Sequence, residues 1–350
     1  MAFDLSRGNS SALEKLRLIN EESSSSVIYE PKKYNFEEYY NFKEETLIEI
    51  KKNDGMRIYD PTSILNNSYW GQLKLFLSEF YTLTHELKDD VTDIVYVGAA
   101  PGNHIYVLTQ LFEDYNYHLY DSRNFDKRLY SLENVRVYKK YFDDNEMKKW
   151  KRSGRKILLI SDIRTLTYSA DSYSLESQKL NEKAVWTDMK LQEKWITFLE
   201  PELSLIKFRL PFGYDFVFEE GRTREYLDGK ILRQVYNKPT SSETRLLVKN
   251  ISYKNYDIIE YERKLAYHNN EIRNKLKFQN LIDGSNKPNY EKKGLLNNFD
   301  DTYFLYVVTL YVKKIDEDPN EKNIKTMIDY ILDNLMPGKI NLLAKKAKIY

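Results

Sequence analysis

The feature that most constrains the fold is a largely apolar run that leads through a glycine-containing loop into a helical pattern. Asp93–Val97 has the length and composition of a buried strand, Gly98–Gly102 has the composition of a tight loop, and His104–Phe112 has helical spacing. A buried strand followed by a short loop and a helix is the unit from which parallel α/β sheets are built. The segment therefore predicts the opening of such a sheet.

Further apolar runs follow, separated by stretches long enough to hold crossover helices. They are Tyr117–Tyr120, Val135–Val137, Ile157–Ile160, Leu203–Phe208 and Leu246–Val248. Tyr69–Lys88 carries one helical apolar face, Asp301–Val312 is a strand or a buried helix, and Ile324–Leu335 is a helical stripe. The pattern predicts an α/β fold with a doubly wound, Rossmann-like sheet and helices on both faces.

We expect a single domain over residues 27–336, preceded by a flexible, serine-containing arm (1–26) and followed by a tail (337–350). Lys and Arg total 54 against 53 Asp and Glu, so any RNA site has to be a local patch. The absence of cysteine excludes disulfides and thiolate chemistry and fits a reducing compartment. No apolar run approaches the roughly 20 residues of a membrane helix, so we expect a soluble protein.

Ligands of doubly wound sheets bind beyond the carboxyl ends of the strands. In Gly98–Gly102, which includes Ala100 and Pro101, small residues let backbone amides approach a ligand at a helix N-terminus. A plain strand-to-helix turn has the same spacing. Asp121, at the end of the next run, is placed to accept hydrogen bonds from both hydroxyls of a nucleoside ribose. A helix cap or a surface turn is the alternative interpretation of Asp121.

Two charged residues accompany later apolar runs. Asp162 follows Ile157–Ile160 and carries a carboxylate to the same edge of the sheet, while Lys207 lies inside Leu203–Phe208, where an unpaired ammonium is costly. A lysine buried among apolar neighbours and other charges can hold a free lone pair near neutral pH, as a general base for a hydroxyl requires. A lysine that reaches solvent from a strand edge is the alternative interpretation.

Seven segments resemble, in the same order along the chain, the poxvirus family of cap-specific mRNA 2′-O-methyltransferases that also serve as the small regulatory subunit of the viral poly(A) polymerase. They are Tyr69–Leu75, Val95–Ile105, Asp121–Arg123, Ile160–Arg164, Lys207–Phe212, Ser242–Leu247 and Tyr261–Lys264. One such motif is weakly diagnostic. The ordered set, which extends across most of residues 27–335, is specific.

The resemblance implies a catalytic tetrad of Lys74, Asp162, Lys207 and Glu243. Lys207 would deprotonate the target hydroxyl or stabilise the developing alkoxide, beside Lys74 as a second cation, and the carboxylates would hold both lysines. The implied reaction transfers methyl from S-adenosyl-L-methionine to the ribose 2′-hydroxyl of the first transcribed nucleotide of m7G-capped mRNA. The rate of this in-line displacement increases mainly because the hydroxyl is positioned against the sulfonium methyl group, and the reaction requires no metal.

The resemblance also implies a cofactor pocket and a cap site. The cofactor pocket consists of Gln72, Gly98, Ala100, Pro101, Gly102, His104, Asp121 and Arg123. The methylated guanine would lie between the rings of Tyr29 and Phe212, with Glu262 at its edge. The family's second acid follows the Pro-Phe pair by two positions, where this chain has Tyr214, so Asp215 is the candidate replacement.

The implied partners are m7G-capped mRNA, single-stranded RNA and the poly(A) polymerase catalytic subunit in a heterodimer, and the implied location is the virion and the host cytoplasm. Two alternatives remain open. The first is an RNA-binding polymerase subunit with little methyltransferase activity. The second is a 2′-O-methyltransferase of another RNA, which would keep the tetrad but would not need Tyr29, Phe212 and Glu262.

Overall fold

A computed structural model describes the greater part of the chain. The described residues are 48–58, 71–165, 175–212, 222–238, 241–273, 299–316 and 321–335. The predicted arm (1–26), the predicted tail (337–350) and the predicted cap residues Tyr29 and Asp215 lie outside the described residues. The proposed division into arm, domain and tail therefore stays a prediction.

Strands of the described region form a seven-stranded sheet in the order β3-β2-β1-β4-β5-β8-β7 and a two-stranded sheet of β6 and β9. The strands are β1 (Asp93–Val97), β2 (Asn116–Tyr120), β3 (Val135–Tyr138), β4 (Ile157–Ser161), β5 (Leu203–Phe208), β6 (Thr223–Leu227), β7 (Lys230–Leu232), β8 (Thr244–Val248) and β9 (Tyr253–Asp257). The first five strands of the large sheet are parallel, whereas β8 runs antiparallel to β5 and to β7. The order reverses at β1 and β4, as in doubly wound sheets.

Helices connect the parallel strands and close both faces. They are α1 (Gly71–Tyr81), α2 (Asn103–Leu111), α3 (Asp144–Ser153), α4 (Leu175–Leu199), α5 (Ile258–Tyr267), α6 (Phe299–Ile315) and α7 (Glu321–Leu335). A π-helical turn, Thr82–Glu86, continues α1, and another, His268–Ile272, continues α5. Within the described ranges, no helix combines the length and apolar composition needed to cross a membrane.

Alternate residues of the central strands enter two separate hydrophobic cores. In β1, Ile94 and Tyr96 belong to the core that packs on α1, α2, α6 and α7, while Val95 and Val97 belong to the core that packs on α3, α4 and α5. All five residues of β1 are buried, which is why its sequence is a continuous run without polar alternation. The predicted α/β fold class is confirmed.

The antiparallel strand β8 is the element that completes the functional edge. The parallel strands β1, β2, β4 and β5 end at one edge of the sheet, and β8 begins there because its direction is reversed. The polar strand β9 has three exposed residues, so no apolar run marks it in the sequence. Asp301–Val312, ambiguous in the sequence, lies in the buried helix α6.

Candidate active site

Four separate elements deliver the predicted tetrad to this edge. Asp162 directly follows β4, and its backbone N–H donates to the Val97 carbonyl at the end of β1 over 2.9 Å. Lys207 lies in β5, Glu243 immediately precedes β8, and Lys74 lies in the first turn of α1. Since these positions are far apart in the sequence, only the sheet order makes them neighbours.

The four side chains form one ion-pair cluster. Lys207 Nζ lies 2.9 Å from Asp162 Oδ1 and 3.7 Å from Glu243 Oε2. Lys74 Nζ lies 2.5 Å from the other carboxylate oxygen of Glu243, Oε1. Glu243 therefore bridges both lysines. The four side chains are between 11% and 17% exposed, so the cluster is partly open to solvent.

Two arginines that the sequence reasoning missed complete the cluster. Arg245 in β8 is fully buried and donates to the Ser161 carbonyl over 2.9 Å and to Asp162 Oδ1 over 2.8 Å. Arg164 Nη2 lies 3.1 Å from Glu243 Oε2. Arg245 did carry a signal, because it is a cation inside an apolar strand, like Lys207. Arg164 lies in a loop and carried no such signal.

Both carboxylates of the cluster are ionised near neutral pH. Burial disfavours the charged form of Asp162, but Lys207 and Arg245 outweigh burial and keep the pKa of Asp162 below its ordinary value. Burial is likewise outweighed at Glu243, where Lys207 and Lys74 hold the pKa well below its ordinary value. Each carboxylate thus acts as a fixed negative acceptor that orients the neighbouring ammonium groups.

The cluster has more positive than negative groups. With both lysines protonated, four cations surround two carboxylates among the described residues, a net charge of +2. An excess of positive charge in a partly dehydrated site stabilises an oxyanion and attracts phosphate. The cluster is thus a local excess of positive charge in a chain whose overall composition is nearly neutral.

The glycine loop lies directly beside the tetrad. Gly98 has φ of +81°, and a Cβ atom there would lie 2.8 Å from the carbonyl carbon of Asp162. Gly102 has φ of +75°, and its Cβ would lie 2.9 Å from Leu129. Both glycines are thus required by backbone conformation and by close packing within the protein itself. The contact at Gly98 holds the loop, with Pro101 exposed at its tip, against the segment that carries Asp162.

Asp121 lies at the end of β2 and reaches the same loop. Its Oδ2 accepts a hydrogen bond from the Ala100 N–H over 3.1 Å and from Arg123 Nη2 over 2.8 Å, while Oδ1 accepts from the Arg123 backbone N–H over 2.9 Å. The last contact is a turn contact, as in the alternative interpretation. Burial raises the pKa of Asp121, but the hydrogen bonds from Arg123 and Ala100 outweigh it and lower the pKa. Asp121 is therefore an ionised acceptor next to the glycine loop.

Gln72 and His104 join α1 to the start of α2. Gln72 Oε1 lies 3.2 Å from the His104 backbone nitrogen and 3.0 Å from ring atom Nδ1. The His104 side chain is only 2% exposed and faces Glu79 in the core. His104 thus lies behind the predicted cofactor pocket, whereas Gln72 is only partly buried.

Two of the predicted cap residues, Phe212 and Glu262, are both influenced by the charged side chains of Arg209 and Glu182. The Phe212 backbone N–H donates to Glu182 Oε2 over 2.8 Å, and the Arg209 guanidinium carbon lies 4.7 Å from the centre of the Phe212 ring. Burial raises the pKa of Glu262, opposed by the cations Arg263 and Arg209, while Glu182 adds to the rise. Arg209 and Glu182, which contact Phe212, therefore also act on the charge of Glu262.

Fold and site together define a class of protein: a doubly wound α/β protein with a glycine-containing strand-to-helix loop beside a Lys-Asp-Lys-Glu cluster at one edge of its sheet. The sequence model of the poly(A) polymerase regulatory subunit family matches residues 44–336. The chain belongs to this family, which confirms the resemblance seen in the sequence.

Curated relatives come from poxviruses. The chain is 33% identical over 224 residues to the cap-specific mRNA (nucleoside-2′-O-)-methyltransferase of fowlpox virus (strain NVSL), covering 59% of this chain and 68% of that protein. It is 26% identical over 238 residues to the protein of the same name from myxoma virus (strain Lausanne), covering 62% of this chain and 67% of that protein. Among solved structures, bluetongue virus VP4, described as a multifunctional RNA-capping production line, matches with a TM-score of 0.35 and 12% identity over 78% of this chain and 45% of that chain.

Proposed function

We propose that this chain transfers a methyl group from S-adenosyl-L-methionine to the ribose 2′-hydroxyl of the first transcribed nucleotide of m7G-capped mRNA. The observation that carries the proposal is the contact of Lys207 with Asp162 and Glu243 at the sheet edge, directly beside the glycine loop. The names of the fowlpox and myxoma virus relatives support the same activity.

The residues at the sheet edge fit a nucleoside-containing methyl donor. Asp121 is an ionised carboxylate that already accepts four hydrogen bonds, three of them from Arg123. The Arg123 side chain is 65% exposed, so its guanidinium can turn to solvent and leave both oxygens of Asp121 to two ribose hydroxyls. When bound, the donor supplies an electrophilic methyl group on a sulfonium sulfur.

Lys207 is the group that acts on the target hydroxyl in this proposal. Its Nζ is held by Asp162 and Glu243, so its position relative to the glycine loop is set before RNA binds. Lys207 orients the hydroxyl for in-line attack and takes up its proton at Nζ as the oxygen gains the methyl group, while the positive charge of Lys74 stabilises the negative charge that develops on the oxygen. Glu243 lies between the two ammonium groups, with Oε1 at Lys74 and Oε2 facing Lys207.

Cap recognition is assigned to Phe212 and Glu262, together with Tyr29 and Asp215. The electron-rich face of Phe212 suits a positively charged methylated guanine, and the carboxyl group of Glu262 suits the N–H donors of its edge. This assignment distinguishes the proposed activity from methylation of another RNA, which would not require these residues.

The proposal is tested by transfer of labelled methyl from S-adenosyl-L-methionine to short RNAs that carry either an m7G cap or a 5′-triphosphate. We expect transfer to the capped RNA alone, and loss of transfer in Lys207→Met with binding of S-adenosylhomocysteine retained. Lys190→Met is the matched control, since Lys190 is a half-exposed lysine on α4 that pairs with Glu193. Equal transfer to both RNAs would refute cap specificity, and full activity of Lys207→Met would refute the role of the tetrad.

A second function is favoured by the family match. The poly(A) polymerase regulatory subunit family model covers residues 44–336, which supports a second role for the chain as the stimulatory, single-stranded-RNA-binding partner of a poly(A) polymerase catalytic subunit. The proposed setting is the virion and the host cytoplasm of a poxvirus infection. If the Lys207→Met variant still stimulates tail synthesis, the two activities are separate, and stimulation of the polymerase does not depend on the tetrad.

A further inference from the structure

A buried chain of polar contacts runs from the core to the proposed cofactor pocket. Glu79, on the core face of α1, is fully buried. Its Oε1 accepts a hydrogen bond from the Tyr96 hydroxyl over 2.7 Å, and its Oε2 lies 3.1 Å from His104 Nε2. The other ring nitrogen of His104, Nδ1, lies 3.0 Å from Gln72 Oε1. His104 thus connects a core carboxylate to a pocket amide.

The hydrogen-bond partners determine where the protons of this chain lie. The backbone N–H of His104 is a donor only, so the Gln72 atom that faces it must be the carbonyl oxygen. The same oxygen faces His104 Nδ1, so Nδ1 must carry a proton. Nε2 lies 3.1 Å from Glu79 Oε2 and 3.4 Å from the Tyr96 hydroxyl oxygen, whose own proton is donated to Glu79 Oε1, so both neighbours of Nε2 are acceptors. The Gln72 oxygen therefore fixes the proton on Nδ1, and Glu79 holds the ring from its other side.

The orientation of the Gln72 amide follows from these contacts. Its oxygen is bound by two donors of His104, so the amide NH₂ group points the other way. Gln72 is partly exposed, and among the described residues no partner bonds to its amide nitrogen. The NH₂ group therefore presents two fixed donors, and these fit an oxygen acceptor on a bound ligand.

We propose that Glu79 and His104 are positioning residues that lock the Gln72 amide with its donors toward the methyl donor. The inference rests on the proposed function. Neither Glu79 nor the His104 ring touches the ligand in this scheme. They increase affinity for the methyl donor because a free glutamine amide can present either end and loses rotational freedom on binding. An amide already held in one orientation avoids that entropic cost.

The first test is a double-mutant cycle on affinity for S-adenosylhomocysteine, measured by titration calorimetry. We expect His104→Phe and Gln72→Met each to weaken binding by about tenfold, the effect of one lost hydrogen bond. In the Gln72→Met background, His104→Phe should change the affinity by less than about twofold, because both changes remove the same contact. A tenfold further loss in that background would overturn the proposal.

The matched control is another buried histidine–carboxylate pair. His118 Nε2 lies 2.9 Å from Asp93 Oδ1, at the first residue of β1 and thus at the opposite edge of the sheet. His118→Phe should lower the thermal midpoint while leaving S-adenosylhomocysteine affinity unchanged. If His104→Phe behaves in the same way, the role of His104 is structural only and the proposal is wrong.

Conservative variants test the lock without removing the side chains. In His104→Asn an amide N–H takes the place of Nδ1–H, and in Glu79→Gln an amide NH₂ can donate to Nε2 while Nδ1 stays protonated. Both variants should bind within about threefold of wild type, since each keeps the donor to Gln72, whereas Glu79→Leu should bind about tenfold more weakly. Loss of binding in Glu79→Gln equal to that in Glu79→Leu would contradict the mechanism.

A ligand-free measurement keeps the two proposals separable. The ¹⁵N shifts of the His104 ring in the wild-type protein should show a protonated Nδ1, and the Gln72 side-chain amide should give one ordered pair of signals. An unprotonated Nδ1 would overturn the lock whatever the ligand. Failure of the wild-type protein to bind S-adenosylhomocysteine, with these signals present, would instead refute the proposed function.

Discussion

Glu86 provides the most quantitative test of the electrostatics of this fold. Its side chain, in the turn after α1, is 3% exposed. Oε1 accepts hydrogen bonds from Lys230 Nζ over 2.6 Å and from the Tyr81 hydroxyl over 2.9 Å, and Oε2 lies 2.8 Å from Lys249 Nζ. Glu86 thereby links the end of α1 to the edge strand β7 and to Lys249, which directly follows β8. The perturbation is Glu86→Gln, which keeps the shape of the side chain and removes its charge.

The expected loss follows from the pKa of Glu86. Burial raises this pKa, but Lys230, Lys249 and Tyr81 outweigh burial and lower it from 4.5 to about 2. A folded-state pKa below the unfolded value stabilises the fold above pH 4.5, and the contribution is lost as the pH falls toward 2. At about 1.4 kcal/mol per pH unit, the ionised Glu86 contributes about 3 kcal/mol at pH 7 and about 1.4 kcal/mol at pH 3.

The assay is urea denaturation of wild type and Glu86→Gln at both pH values. We expect the difference in unfolding free energy to shrink by about half between pH 7 and pH 3, in line with the linkage relation. Glu200→Gln is the control, because Glu200 is 65% exposed in its ion pair with Lys151 and should have little effect at either pH. A constant difference for Glu86→Gln at both pH values would refute the reasoning.

Three further substitutions test other parts of the structure. Gly98→Ala places a Cβ atom 2.8 Å from the Asp162 carbonyl carbon at φ of +81°, so we expect a loss of roughly 1–3 kcal/mol in urea denaturation together with a fall in methyl transfer. Arg273→Met leaves the fully buried Asp300, its partner at 2.6 Å, without a cation and should cost about 3–5 kcal/mol in the same assay. Asp121→Asn removes the charged acceptor proposed for ribose and should weaken S-adenosylhomocysteine binding about tenfold or more, measured by calorimetry.

Each of these substitutions has a matched control. Gly154→Ala also places an alanine at a positive φ of +63°. Nothing lies within 4 Å of the added Cβ atom, so methyl-transfer activity should be retained. Adding Asp300→Leu to Arg273→Met should recover part of the lost stability, because it removes the unpaired charge. Asp143→Asn keeps a side chain that can cap α3 and should leave ligand binding unchanged. The opposite result in any control would contradict the corresponding prediction.

Strands buried on both faces were the elements most readily predicted. Asp93–Val97 and Leu203–Phe208 have the bounds in the structure that their largely apolar runs predicted, because burial on both faces keeps apolar residues on each side of the strand. The strands β6 and β9 form a separate two-stranded sheet, and no run marks β9 because only one face of it can be buried. The direction of β8 was not predictable either, since hydrophobic pattern does not encode strand direction.

The sequence by itself determined the α/β class and the position of the glycine loop, and its resemblance to the family implied the four residues of the tetrad. Local burial and the ordered motifs carry that information along the chain. Only the tertiary structure decided which charges meet: Glu243 bridges Lys74 and Lys207 because antiparallel β8 begins where parallel β5 ends, and Arg245 holds Asp162 across two strands. It also showed that His104 contacts Glu79 behind the loop. Such contacts depend on sheet order and on the third dimension of the core, which no spacing along one chain specifies.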